Sequence, residues 1–305
     1  MIKDPKHIVI SRTDSIGDVI LTLPICGILK SKFPSCKITF LGKSYTKDVI
    51  ECSIFVDEFL NWDELSSVDE KYALDSIEEL EIDSILHVFP NKKIGKLFKK
   101  AGVANRVGTS HRMHHLFTCN YRPNFTRKNS NLHESQLNVK LLMPFGIEHA
   151  YDLDELSRYA GFDRIPSFPF DKIPDWNPNK TNVILHPKSQ GSAVEWGMTN
   201  FKELITSNET NSNIHFYITG TEKESQEIRP YLPKSSNITD VTGVLTLKEL
   251  IGFIAKNNFS LVTKYWVEKL KSQISGTYSY NSGRPYDAVF GIDTGVVSGI
   301  GIKSL

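Results

Sequence analysis

At 305 residues the chain is long enough for about two domains, and 40% hydrophobic with 23% charged residues is the balance of an ordinary globular protein. A formal net charge of +1 gives no reason to expect nucleic acid or another polyanion as partner of the whole molecule. Cys26, Cys36, Cys52 and Cys119 lack metal-ligand spacing and framework density, and no apolar run approaches the roughly 18 residues of a membrane span.

The first ten residues, "MIKDPKHIVI", carry charges where a secretory signal needs an apolar core, so a cytoplasmic location is expected, with at most a peripheral contact at the inner membrane surface. Short apolar runs then alternate with helical periodicities, the pattern of βαβ units around a parallel sheet. "HIVIS" (7–11) reads as a buried strand. Ile16, Val19, Ile20 and Leu23 form an apolar helical stripe behind it, which Pro24 should kink or restart. "KITFLG" (37–42) and "FVDEFLNW" (55–62) are the next strands, followed by a helix over 66–80 and the strand "SILHVF" (84–89). "KKIGKLFKKAG" (92–102) is a basic helix, "NRVGTS" (105–110) a strand, and "HESQLNVKLLMPFGI" (133–147) a helix with Leu137, Leu141 and Leu142 on one side. Four prolines in "IPSFPFDKIPDWNPNK" (165–180) mark a linker. Beyond it "NVILH" (182–186) is a strand, "NFKELI" (200–205) opens a helix behind Thr199, and "IHFYITG" (214–220) leads to a helix from about Glu222. "ITDVTG" (238–243) precedes "TLKELIGFIAKN", where Thr246 and Glu249 form a capping-box pattern before the stripe Leu247, Leu250, Ile251 and Ile254.

Three segments have the residues for chemistry. In "SRTDSIGDVILTLP" (11–24), Asp18 falls in a first helical turn, off the apolar stripe and near the positive end of the helix dipole. Gly17 beside it lets a substrate come close. That suits a base at the end of a strand, where open α/β sheets bind ligands, and it equally suits a plain helix-start aspartate. In "HPKSQGSAVEWGMTNF" (186–201), the residues between strand and helix offer amides and hydroxyls to phosphate oxygens, or form an ordinary polar loop. In "ITGTEKE" (218–224), Glu224 either holds ribose hydroxyls or only starts a helix. Neither the dinucleotide glycine fingerprint nor the Walker pattern is present, which counts against a nicotinamide oxidoreductase and a P-loop enzyme.

Taken in order, these stretches resemble glycosyltransferase family 9, the heptosyltransferase-like enzymes of lipopolysaccharide core biosynthesis. Ser15 to Pro24 is similar to the family's "SxGD(V/I)(I/V)LTxP", "HPKSQGSAVEWG" to "HPGSGGSAKxWP", "ITGTEKE" to "LTGxxxE", and residues 242–254 to "TGxLTLxELxxxI". The stretch "RVGTSHR…LHESQLNVKLLMPFGI" is also similar, and the likeness covers residues 7 to about 263. The resemblance implies a GT-B fold: two Rossmann-like domains facing across a cleft. The expected division is an acceptor domain at 1–164, the proline-rich linker at 165–180 and a nucleotide-sugar-binding domain at 181–305. The implied activity is inverting transfer of a sugar such as heptose from a nucleotide-diphosphate sugar to a lipopolysaccharide core or related surface glycan. No metal and no cofactor beyond the donor co-substrate is implied. Carried over by position, Asp18 is the catalytic base, and Lys188, Ser189, Gly191, Ser192, Glu224, Asp293, Thr294 and Gly295 meet the donor. Ser15, Gly17, His111, Arg112 and His133 fall on the acceptor side. The group His111, Arg112, His114, His115 and His133 reads as acceptor binding, with Arg112 on a phosphate or carboxylate, against a histidine metal site whose ligand spacing is lacking.

Two departures accompany the likeness. Val194 stands where family members often have lysine, and Lys188 stands where they usually have glycine. After "FSLVT" (259–263) the family's "(N/S)DTGPxHxAxxLG" turn is delayed by an atypical segment at 264–290, and "GIDTGVVSGIGIKSL" then has Val296 and Ser298 for its proline and histidine. The C-terminal domain is therefore expected to be atypical or incomplete: either it carries an insertion before a shortened end, or its last segment is foreign, with "VFGIDTG" as a ribonuclease-H-like strand. Either way, 264–290 is expected to pack poorly. A nucleotide-sugar-binding protein with weakened catalysis is the alternative function. Lys92, Lys93, Lys96, Lys99 and Lys100 form either a solvated face or one turned to anionic lipid or a phosphorylated acceptor.

Overall fold

The computed structural model describes residues 1–128, 130–173, 175–189 and 195–256, together with the backbone of strands at 260–262, 280–281 and 287–288. Asp293, Thr294, Gly295, Gly191 and Ser192 lie outside the described residues, as does most of the 264–290 segment. The chain forms two compact units, Met1–Arg164 and Ile165–Leu305.

In the first unit the apolar runs give five parallel strands: β1 (His7–Ser11), β2 (Lys37–Gly42), β3 (Glu58–Asn61), β4 (Ser84–His87) and β5 (Asn105–Gly108), in the order β3-β2-β1-β4-β5. Successive side chains of a strand face opposite sides of the sheet. Val9 of β1 accordingly joins Leu41, Ile85, Ile94, Leu97 and Phe98 in one core, beneath helices Glu70–Glu79 and Lys92–Lys100. The expected stripe at Ile16–Leu23 is split: one helix runs Ile16–Ile20 and a second Pro24–Lys32, with proline at its first position, where its missing N–H costs nothing.

The second unit repeats the design with β6 (Thr181–Leu185), β7 (Ile214–Ile218), β8 (Ile238–Asp240) and β9 (Ser260–Val262), all parallel in the order β8-β7-β6-β9. A separate antiparallel pair joins β10 (Tyr280–Asn281) to β11 (Asp287–Ala288). The proline-rich stretch packs into this unit: Phe168 and Ile173 share a core with Ile184, Tyr217 and Phe253.

Several elements differ in extent from the sequence expectation. The helix expected over 66–80 begins at Glu70, because Asp69 caps it by accepting the Tyr72 N–H (2.9 Å), while Trp62–Leu65 forms its own turn capped by Asn61. The helix expected over 133–147 is α-helical only for Glu134–Val139 and tightens to a 3-10 helix over Lys140–Phe145, which contains Pro144. The helix expected behind Thr199 starts at Met198, after Gly197, whose φ of +93° no ordinary side chain tolerates. Three short helices, Lys47–Glu51, His115–Thr118 and Leu153–Arg158, have too few residues to show a period. The four cysteines are buried.

Candidate active site

Where the strand order of a parallel sheet reverses, the loops leaving adjacent carboxyl ends diverge and leave a crevice that ligands use. In the first unit that point lies between β1 and β4. The chain leaves β1 into Arg12, Thr13, Asp14 and Ser15 and then enters the Ile16–Ile20 helix. Ser15 is its N-cap: its hydroxyl accepts the Asp18 N–H (3.3 Å) and donates to Asp18 Oδ2 (2.7 Å). Gly17 sits half-buried in the same turn.

The centre of the site is a residue that the sequence reading passed over. Arg12 is buried, and its guanidinium reaches three carboxylates: Nε to Asp14 Oδ1 (2.7 Å), Nη2 to Asp18 Oδ1 (2.6 Å) and Nη1 to Glu134 Oε1 (3.2 Å). Glu134, also buried, accepts again from Arg127 Nε (3.0 Å), and Arg127 Nη2 donates to Asn138 Oδ1 (2.7 Å). Asn138 in turn donates to the Leu21 carbonyl (3.2 Å), which ties Glu134–Val139 back to the chain after Asp18. Burial works against the Arg12 charge, yet Asp14, Asp18 and Glu134 outweigh it and hold its pKa above the usual arginine value. Asp14 is pushed above the usual aspartate range by burial first, with Arg12 opposing and Asp18 adding. Asp18 is the most open member, its side chain 37% exposed against 6% for Arg12 and 7% for Glu134. It therefore offers solvent an oriented carboxylate.

The other acceptor-side candidates stand apart from this cluster. His133 is the N-cap of Glu134–Val139, accepting the Ser135 N–H at Nδ1 (3.3 Å), so it positions the helix that carries Glu134. His111 bonds Asn124 Oδ1 through Nε2 (3.0 Å), and Arg112 is exposed beside it; neither is hydrogen-bonded or ion-paired to the Asp18 cluster among the described residues.

Next to this site, His87 ends β4 with its ring wholly buried against His115 (centroids 5.9 Å apart). Burial first, then His115, His114 and Arg106, lowers its pKa to about 3; burial likewise lowers His115 to about 4. Unfolded histidines take up protons below about pH 6.5, whereas these two resist, so their contribution to stability is complete above that pH and is lost as pH falls toward the folded values. Urea unfolding at about pH 5.5 should show a stability about 1–3 kcal/mol lower than at about pH 7.5. A His87→Gln variant should flatten that slope; an unchanged slope places its origin elsewhere.

In the second unit the loop after β6 leaves from the equivalent reversal, between β6 and β9. His186 bonds Thr219 Oγ1 through Nδ1 (3.0 Å), and burial lowers its pKa against the pull of Glu224. Lys188 is clamped: Nζ lies 2.8 Å from both Glu195 Oε2 and Glu227 Oε2, and Glu195 also accepts the Ser189 N–H (3.0 Å). Glu224 completes a capping box with Thr221, taking the Thr221 N–H at Oε2 (2.7 Å) while its own N–H goes to Thr221 Oγ1 (3.3 Å). Among the described residues no group of three or more His, Cys, Asp or Glu side chains could hold a metal ion, and no helix is long and apolar enough to cross a membrane.

No family model matches the chain. A Haemophilus influenzae protein named "Putative glycosyltransferase" is 25% identical over 213 residues, which cover 66% of this chain and 59% of that protein. This match therefore spans less than two thirds of the relative's length. Among solved structures, a glycosyl transferase family 9 protein from Veillonella parvula matches with a TM-score of 0.66 and 17% identity, over 86% of this chain and 76% of that one. The E. coli ADP-heptose lipopolysaccharide heptosyltransferase II matches with a TM-score of 0.63 and 16% identity, over 85% and 78% of the two chains. The E. coli heptosyltransferase WaaC, solved with ADP-2-deoxy-2-fluoro heptose, gives 0.64 and 13%, over 84% and 82%. The chain has their fold. Two parallel sheets, each with its reversal beside the strand that opens the unit, are thus the GT-B plan anticipated from the motifs.

Proposed function

We propose that this protein is an inverting glycosyltransferase that moves a sugar, of the heptose class, from a nucleotide-diphosphate donor to a lipopolysaccharide core or related surface glycan. The observation that carries the reading is Asp18, oriented by the buried Arg12 and by Ser15 at the reversal of the first sheet. In this reading Asp18 takes the proton of an acceptor hydroxyl as its oxygen attacks the anomeric carbon. The bond from that carbon to the diphosphate oxygen breaks, and the nucleoside diphosphate leaves with the electron pair. Ser189, Gly191 and Ser192 supply donors to the charge it gains, and Asp293, Thr294 and Gly295 belong to the same donor side. Ser15 and Gly17 border the acceptor, with His111 and Arg112 further along the same unit. The neighbour solved with an ADP-sugar analogue supports a nucleotide sugar as donor. The protein works in the cytoplasm, with a peripheral contact to the inner membrane surface.

A screen of nucleotide sugars by thermal shift, followed by transfer assays with the sugar that binds, tests this. Stabilisation by a nicotinamide dinucleotide and by no nucleotide sugar would replace the reading with a dehydrogenase. Ser189→Ala with Ser192→Ala should weaken donor binding by roughly 1–3 kcal/mol in calorimetry; an unchanged Kd moves the diphosphate elsewhere.

The Lys188 clamp favours a second reading, a nucleotide-sugar-binding protein with weakened catalysis. Glu195 already holds the Ser189 N–H and, with Glu227, the Lys188 ammonium, so two donors for a leaving diphosphate are engaged within the protein. Tight donor binding with no transfer to any acceptor would decide for it.

A further inference from the structure

Residues 84–133 contain ten Lys and Arg and no Asp or Glu, which leaves 26 basic against 35 acidic residues in the rest of the chain. The near-neutral total therefore conceals a basic stretch of sequence, within which Lys100 pairs with Glu70 (2.7 Å) and Arg127 with Glu134 (3.0 Å). Part of that charge sits on helix Lys92–Lys100, which buries Ile94, Leu97 and Phe98 and exposes Lys92, Lys93, Lys96, Lys99 and Lys100. The short helix His115–Thr118 packs on it: Lys99 Nζ donates to the Phe117 carbonyl (2.7 Å), and a Cβ on Gly95 would lie 3.0 Å from Thr118 Oγ1. On this second stretch Met113, Leu116 and Phe117 are 81%, 53% and 72% exposed, and apart from Met1 no large hydrophobic side chain described is more exposed than Met113 and Phe117. Exposed Arg112 and Arg122 flank them.

We propose that Met113, Leu116 and Phe117, with Lys92, Lys93 and Lys96, form a docking surface for an anionic lipid bilayer. Apolar tips set among long basic side chains match the two layers of a membrane interface: the tips enter the acyl boundary while the cations meet the phosphates. A second copy of this chain would set the same positive charge against itself, which makes it the poorer occupant. A purely electrostatic partner leaves the three apolar side chains unexplained. The patch belongs to the unit that carries Asp18, and its Phe117 end lies toward the start of β5, where Arg106 Nε donates to the Thr118 carbonyl (2.8 Å) and Asn120 Nδ2 to the Ala104 carbonyl (2.7 Å). The inference rests on the peripheral membrane contact proposed above and makes no use of sugar transfer, so the two readings fail separately.

Sedimentation of the full chain with vesicles of phosphatidylcholine, alone or mixed with phosphatidylglycerol, tests it. Binding is expected only to the anionic vesicles, with a steep loss as salt rises. Changing Lys92, Lys93 and Lys96 together to Gln should lower the partition coefficient about a hundredfold. Leu116→Ser with Phe117→Ser should lower it at least about tenfold while the thermal melt stays that of the parent. Equal binding to both vesicle types, no binding to either, or indifference to the Leu116 and Phe117 changes overturns the proposal. So does a dimer in analytical ultracentrifugation that those same changes dissolve, since a second copy then covers the patch.

Discussion

An Asp18→Asn variant is expected to fold and bind donor like the parent, yet to transfer sugar at least about a hundredfold more slowly, the usual size of a lost general base. Asparagine keeps the shape of aspartate, and the main-chain N–H of residue 18 still reaches the Ser15 hydroxyl that caps the helix. Arg12 retains Asp14 and Glu134, so its buried charge stays paired. What disappears is the carboxylate proposed as proton acceptor, at the exposed end of the cluster. The loss should fall on kcat at saturating donor and acceptor, with little change in either KM. Asp14 is the control. It lies in the same crevice, is less exposed, and is bound at Nε of Arg12, while its main-chain carbonyl accepts from the Tyr45 hydroxyl. If Asp14→Asn abolishes transfer and Asp18→Asn does not, the base has been misassigned within one site. Parent-rate transfer by both variants would leave Asp18 a helix-start residue and remove the main support for the enzymatic reading.

Much of the fold was legible because it is local. β1 and β2 match their expected bounds residue for residue, since a parallel strand buried on both faces is mostly apolar, with His7 and Thr39 bonded to each other (2.8 Å) where polar groups are buried. Thr246 and Glu249 form the expected capping box, with N–H to side-chain bonds of 2.9 and 3.3 Å. The same T-x-x-E spacing at Thr221 and Glu224 could have been read alike, and it accounts for Oε2 of a carboxylate that the motif likeness sent to ribose. The stripe expected in the last helix omitted Phe253, which is fully buried because the helix is covered on a second side by the 165–173 stretch, where a Cβ on Gly252 would lie 2.7 Å from the Pro166 carbonyl. The Arg12 cluster was the least legible part. Arg12 and Glu134 are 122 positions apart, and neither helical period nor strand alternation encodes that pairing. The available signal was an arginine and an aspartate directly after a buried strand, beside a glycine-aspartate helix start.

Replacing Arg12 itself should have the largest effect on stability. Removing one partner of a buried ion pair leaves the others desolvated and unpaired, at a cost of about 3–5 kcal/mol. Here the partners are Asp14, Asp18 and Glu134, and only Glu134 has a second guanidinium to turn to, that of Arg127. Arg12→Leu fills similar space but sets three carboxylates around an apolar side chain, so urea unfolding should show a loss of that size. Carboxylates crowded without a cation take up protons more readily, and the deficit should shrink as pH falls toward about 4. Arg12→Lys separates charge from geometry and keeps the test alive if the leucine variant does not fold. A lysine supplies the charge without the planar fork that holds three carboxylates at fixed angles. It should recover more than half of the lost stability while Asp18 remains poorly oriented, so kcat stays well below the parent value with KM little changed. That split marks Arg12 as a positioning residue for Asp18. Full recovery of turnover by lysine would show that charge alone is needed, and parent-like stability in Arg12→Leu would show that the network contributes nothing to the fold.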